Sequence, residues 1–233
     1  RSLRHLTEPW PMADDHTMRS RGYLPHYDRP GLIQFVTFRL ADSLPSSTVA
    51  EWEAELARLS REEARQKLQR RIQSFLDTGH GEAHLARRDV AEVVQNSLRH
   101  DAGSIYDLRA WVIMPNHVHV ILRVRHGHTL SKAMQRVKGA SAHGANRLLG
   151  RTGTFWAREY YDRYARDTDH LTRAIAYVRA NPVKAGLCAT PEDWPWLGEM
   201  DLPGGDEVVL PPTYSDPRSH GERPASPGRP PMS

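Results

Sequence analysis

Two histidines one residue apart, His117 and His119, lie inside an otherwise apolar run from Trp111 to Leu122. In an extended chain, side chains two positions apart leave the same face, so the imidazoles converge. A divalent cation would account for two polar rings in a hydrophobic strand, because neutral imidazole is a common metal ligand. A hydrogen-bonded structural pair is the alternative, and spacing alone leaves both open. A second group lies on the last helical stretch. Leu171, Ala174, Ile175 and Val178 there follow the i, i+3, i+4, i+7 spacing of a buried stripe. Tyr177 lies off that stripe, in line with Arg173 and Asn181. A phenol, a cation and an amide therefore share one side of the helix. The plainer readings are a partly buried aromatic and an Asn that satisfies free backbone groups at a helix end.

Phe155 to Tyr164 interleaves rings with charges and includes Arg158 and Arg163. That composition suits stacking bases and contacting phosphates on a single strand, or equally an aromatic cross-strand packing. Tyr160, Tyr161 and Tyr164 are rival nucleophiles to Tyr177. From Leu108 to Ala157 there is no Asp or Glu, while Arg109, Arg123, Arg125, Lys132, Arg136, Lys138, Arg147 and Arg151 fall inside. A one-sign segment of this kind suits a polyanion, since each phosphate neutralised releases counterions. The whole-chain charge of +4 is mild by comparison.

The elements that must position these residues follow from periodicity and breakers. Ile33 to Leu40 is β-branched and aromatic and ends at the turn before Pro45, which predicts a strand. Ser47 to about Phe75 reads as a charged helical insertion, broken by Asp77-Thr78-Gly79-His80-Gly81. Asp89 to His100 is a further helix. Ser104 to Met114 and His117 to Arg125 flank Pro115-Asn116 as an antiparallel hairpin. A basic helix over Ser131 to Leu149, an aromatic strand over Phe155 to Ala165, and a helix from Asp169 to Ala180 complete the order. Asn181-Pro182 is expected to end that helix, because a residue before proline avoids the helical region. The order predicts an α+β chain: a ferredoxin-like or RRM-like antiparallel sheet of split βαβ type, with helices packed on one face.

Three segments are expected. Residues 1 to 30 read as an irregular lead-in, 31 to 202 as one catalytic domain carrying the insertion at 47 to 75, and 203 to 233 as a Pro-rich disordered tail. No apolar run approaches the roughly 20 residues that cross a bilayer, and the first residues lack the apolar centre of a secretion signal. The single cysteine, Cys188, excludes an intramolecular disulfide and a cysteine-based zinc cluster. A cytoplasmic location fits these features.

Several motifs in order carry a resemblance. They are Leu-Pro-His-Tyr at 24 to 27, Val-Thr-Phe-Arg-Leu at 36 to 40, and Met-Pro-Asn-His-Val-His-Val at 114 to 120. Phe-Trp-Ala-Arg-Glu-Tyr-Tyr-Asp-Arg-Tyr at 155 to 164 and Tyr-Val-Arg-Ala-Asn-Pro-Val-Lys-Ala-Gly-Leu at 177 to 187 follow. Together, from about Leu24 to Leu197, they resemble the REP-associated tyrosine transposases of the HUH nuclease superfamily. The resemblance implies an HUH endonuclease fold with Tyr177 as nucleophile and His117, His119 and Asn181 as metal ligands. It further implies Mg²⁺ or Mn²⁺ as cofactor and a bacterial, nucleoid-associated location. The substrate would be single-stranded DNA folded into REP-type hairpins, cut and rejoined through a 5′-phosphotyrosine link by a monomer, with a dimer as the other option. Arg123, Arg136, Lys138, Arg147, Arg158, Arg163 and Arg173 are the candidate DNA contacts. Two other readings stand beside it: a hairpin-binding protein without cleavage, and a metal phosphoesterase in which water replaces Tyr177.

Overall fold

The computed structural model describes residues 18–20, 25–27 and 30–208. Strands β1 (Met18–Ser20) and β2 (Pro25–Tyr27) pair as a small antiparallel ribbon. The main sheet holds β3 (Ile33–Arg39), β4 (Tyr106–Ile113), β5 (His117–Val124), β6 (Tyr161–Tyr164) and β7 (Leu197–Glu199). All its pairings are antiparallel, in the order β6-β3-β5-β4-β7. The helices are α1 (Ser46–Leu56), α2 (Arg61–Asp77), α3 (Arg88–His100), α4 (Leu130–Leu148) and α5 (Thr168–Lys184). Within the main sheet and its helices, setting aside α1, α2, α5 and β7, the order β3-α3-β4-β5-α4-β6 with neighbours β6-β3-β5-β4 is the split βαβ arrangement expected from the sequence.

The central strand β5 explains where everything else must pack. Its residues alternate faces, and both faces are buried. Val118, Val120 and Leu122 point into a core shared with Val90, Val94 and Leu98 of α3 and Met134 and Val137 of α4. On the opposite face Ile121 joins Ile33, Ala110 and Val112 under Leu171, Ala174 and Val178 of α5. The helices therefore lie on both faces, not on one. The reason is that α5 carries an apolar stripe of its own, and the sheet face bearing the histidines is the one left to bury it.

Four other expectations change. The charged insertion is not one helix but two, because Ser60 starts a new one with a capping box to Glu63. The α1–α2 hairpin also has its own small core of Leu44, Leu56, Leu68, Ile72 and Leu76, with Trp52 and Phe75 packed on it. The aromatic strand shrinks to Tyr161–Tyr164: Phe155 and Trp156 are buried in the core of α3 and α4, where the Trp156 indole donates to Ser141 Oγ. α5 continues through Pro182 to Lys184. The proline's missing N–H falls in the last turn, where Ala185 N and Leu187 N donate to the carbonyls of Asn181 and Pro182. Finally, the ordered domain extends past 202. Leu202 is buried and Asp206 accepts from the Arg109 guanidinium. The lead-in contains the β1–β2 ribbon, and the rest of it and the tail beyond 208 lie outside the described residues.

The edge strand β7 escaped the sequence reading because it is three residues long. It fits because Gly198 lies against the Trp111 ring, where an added Cβ would fall among the indole atoms. Gly198→Ala should therefore cost roughly 1–3 kcal/mol by overpacking. Denaturant unfolding followed by Trp fluorescence measures it.

Candidate metal and nucleophile site

Registration of β5 against β3 sets Thr37 opposite His119 and Arg39 opposite His117. Both imidazoles are fully buried on the α5 side of the sheet. His119 Nδ1 lies 2.8 Å from Thr37 Oγ1, and His117 Nδ1 lies 2.7 Å from Asn116 Oδ1. The Asn116 amide nitrogen donates to the carbonyls of Leu76 (3.2 Å) and His80 (2.9 Å), so its oxygen is the atom that faces His117. An amide oxygen only accepts, so His117 carries its proton on Nδ1 and presents a lone pair at Nε2. The two Nε2 atoms stand 3.0 Å apart.

Burial drives His117 down to about 3, and burial, then His117 and Arg163, hold His119 well below the usual imidazole range. Both rings are neutral at neutral pH, the form that binds metal. Cis ligands of an octahedral ion at roughly 2.1 Å stand roughly 3 Å apart. The donor set therefore fits a divalent cation.

A third candidate ligand comes from α2. Asp77 Oδ1 lies 3.8 Å from His117 Nε2, and one ligand atom from each of Asp77, His117 and His119 falls within 4.8 Å of the others. One turn earlier, Gln73 Nε2 lies 3.2 Å from His119 Nε2 and donates to Asp77 Oδ1 at 2.9 Å. Desolvation raises the Asp77 pKa, against the pull of Gln73 and Lys184. The sequence reading missed both residues: it took Asp77 as part of a helix breaker and Gln73 as solvated charge-rich helix. The only available signal was their i, i+4 spacing just before the Gly-rich break.

α5 brings Tyr177 to the same place. Its ring lies edge-on to His119 at 5.3 Å and to Phe35 at 5.9 Å. The hydroxyl is buried without a partner in normal hydrogen-bond geometry. Desolvation foremost, with the Asp77 charge, pushes its pKa well above 10, while the nearby Asn181 and Gln73 amides and Arg163 pull the other way. Asn181 is buried one turn on. The Lys184 ammonium sits 5.4 Å from the Tyr177 ring centroid. The rival tyrosines are elsewhere. Tyr160 is in the core of α3 and α4, and Tyr161 packs on the α1–α2 hairpin with its pKa pushed up to about 12 by burial. Tyr164, on β6, points away from the face that carries Tyr161 and Arg163.

The candidate DNA contacts are scattered, and several are engaged within the fold. Lys138 is one of them: its ammonium donates at 2.8 Å to the carbonyls of Ala157 and Arg158, and burial lowers it to about 8. Arg136 makes a two-pronged pair with Asp101, and Arg123 bonds Asp107 and the Pro203 carbonyl. Arg136 and Arg147 line an open cleft of about 910 Å³ between α3 and α4, on the face opposite the histidines. Arg158 is almost wholly exposed and Arg173 is exposed on α5. Arg163 alone of the set lies close enough to act electrostatically on both His119 and Tyr177.

Residues 83–181 match the family model described as "Transposase IS200 like". The chain is 25% identical over 122 residues to a REP-associated tyrosine transposase of Escherichia coli K12, covering 45% of this chain and 71% of that protein. A solved structure of a REP-associated tyrosine transposase bound to a REP hairpin aligns with 79% of this chain and 97% of its own, at 17% identity and a TM-score of 0.47.

The buried histidines make stability sensitive to acid. Their folded pKa values lie below the unfolded value, so the unfolded chain binds more protons below about pH 6.5 and stability falls as pH falls. With chelator present, unfolding free energy should drop between pH 6 and 5 with a slope approaching about 2.7 kcal/mol per pH unit for the two rings. His119→Gln should roughly halve that slope in denaturant titrations.

Proposed function

We propose that this chain, a relative of the REP-associated tyrosine transposases, is a metal-dependent single-stranded DNA endonuclease and strand transferase in which Tyr177 is the nucleophile. The observation that carries the reading is the Tyr177 ring set edge-on against His119, on a strand that turns two neutral imidazoles toward one point. The family match, which includes both histidines, Tyr177 and Asn181, supports it.

In the proposed reaction a bond forms between the Tyr177 phenol oxygen and phosphorus, and the bond from phosphorus to the 3′ oxygen breaks. The phenol proton leaves to solvent and the 3′ oxygen takes one up, giving a 5′-phosphotyrosine and a free 3′-hydroxyl. The covalent link keeps the energy of the broken bond, so a second 3′-hydroxyl can reverse the step without ATP. Mg²⁺ or Mn²⁺, held by His117, His119 and Asn181, would stabilise the charge that develops on the phosphate. Thr37 and Asn116 orient the imidazoles by their Nδ1 atoms. Phe35, His119 and the α5 backbone fix the phenol ring, so attack geometry is set before DNA arrives. Lys184 and Arg163 bring positive charge near the phenol and favour its anion.

For the DNA we propose REP-type sequences folded as single-stranded hairpins, the REP part in keeping with the name of the E. coli relative and the hairpin form as the motif resemblance implies. The cleft between α3 and α4 would grip the duplex stem through Arg147, with Arg136 sharing its charge with Asp101.

A denaturing gel with end-labelled hairpin DNA and Mn²⁺ tests the chemistry. The wild type should form a covalent adduct, and Tyr177→Phe should form none while folding at least as stably, since the lost hydroxyl has no partner to leave behind. Turnover without an adduct, or cleavage by the phenylalanine variant, would sink the tyrosine reading in favour of water as nucleophile. Arg147→Ala should weaken binding of all hairpins alike and reduce the salt slope by about one; an unchanged slope in a salt titration removes Arg147 from the interface.

A further inference from the structure

We infer that the α1–α2 hairpin is a metal-locked cap, in which Asp77 is a carboxylate ligand of the divalent cation held by His117 and His119. This rests on the metal reading of the histidine pair. It adds to that reading a ligand from outside the matched family segment, which begins at residue 83, and a conformational consequence for the hairpin.

The argument starts with what faces what. His117 Nε2 holds a lone pair, because its proton is committed to Asn116, and the Asp77 carboxylate oxygen that faces it at 3.8 Å is also an acceptor. His119 Nε2 converges on the same point. The His117 lone pair, His119 Nε2 and the half-exposed Asp77 carboxylate set three possible ligand atoms within 4.8 Å of one another, an arrangement that suits a cation. Gln73 donates toward two of them, His119 Nε2 and Asp77 Oδ1. The carboxylate also supplies what the other donors lack. Two imidazoles and an amide are neutral, whereas Mg²⁺ and Mn²⁺ prefer oxygen and negative charge.

The conformational step follows from how the hairpin is attached. Its core of Leu56, Leu68, Ile72 and Leu76 forms a separate cluster from the two that flank the sheet. It meets the sheet body through Leu44, Tyr161, the Asn116 bonds to the Leu76 and His80 carbonyls, and the two side chains of α2 that reach the histidines. An ion ligated by Asp77 turns the last of these into a coordinate bond and fixes α2 over Tyr177. Metal uptake and ordering of the hairpin then become one event. Gln73 gives up His119 Nε2 to the ion and remains as a donor to the carboxylate.

Two measurements test this with Mn²⁺ alone as the probe. In titration calorimetry Asp77→Asn should weaken Mn²⁺ binding roughly tenfold or more, without changing the melting temperature measured in chelator. In hydrogen exchange, amides of residues 46–77 should slow on adding Mn²⁺ in the wild type and change little in Asp77→Asn. Wild-type affinity in Asp77→Asn, or exchange of the hairpin indifferent to Mn²⁺ in the wild type, overturns the proposal while leaving the histidine site standing. Wild-type affinity in His119→Gln would overturn both.

Discussion

Everything at this site depends on two uncharged imidazoles buried at the centre of a sheet with their Nε2 atoms 3.0 Å apart. Such a pair is costly unless its outer nitrogens are satisfied, because a buried polar atom without a partner loses its solvation. Thr37 on β3 and Asn116 in the β4–β5 turn meet that demand. Asn116 can do so only because its amide is itself tied to the end of α2. One asparagine thus joins the tautomer of His117 to the position of the inserted hairpin, and the turn that looked like a simple hairpin signal is part of the site.

The same burial governs the phenol. A tyrosine in water is already a weak nucleophile at neutral pH, and desolvation next to the Asp77 charge makes Tyr177 weaker still. For the proposed nucleophile this means the isolated protein keeps an inert, protonated phenol. Cation binding would neutralise the Asp77 field and place positive charge within reach of the developing phenolate. In the proposed mechanism reactivity would then be conditional on the ion.

How much of this was legible in the sequence depends on whether the information was local. The converging histidines followed from a period of two, and the off-stripe placement of Tyr177 from a period of 3.6, so the two halves of the site could be named before they were brought together. That they meet required α5 to lie on the histidine face. The sequence reading put all helices on one face, and nothing in a stripe of Leu171, Ala174 and Val178 says which side of a sheet it will cover. Gln73 and Asp77 were hidden for a different reason. They come from a helix whose composition is charged throughout, and the contact that gives them meaning spans some forty residues of chain. The Asn181-Pro182 pair misled because a proline in the last turn forfeits a single helical bond, and the carbonyls of Asn181 and Pro182 still find donors in Ala185 N and Leu187 N.

The basic segment shows why a one-sign run in sequence is not a one-sign surface. No acid falls between Leu108 and Ala157, yet Asp101 and Asp107, just outside that window, neutralise Arg136 and Arg123 across the fold. Lys138 is spent on carbonyls. Of the candidate contacts that remain exposed, Arg147 lies on the α3–α4 face and Arg173 on α5, with the sheet between them, while Arg158 lies just before β6. A hairpin held in the α3–α4 cleft must send its scissile strand around an edge of that sheet to reach Tyr177. The β7 edge carries Glu192, Glu199 and Asp206, held by Arg179 and Arg109. The β6 side carries Arg158 and Arg163, the second of them already within the field of the phenol. In the proposed reaction a path round the β6 edge, past Glu159 and Asp162 as well, would make Arg163 the last cation the phosphate meets before the site.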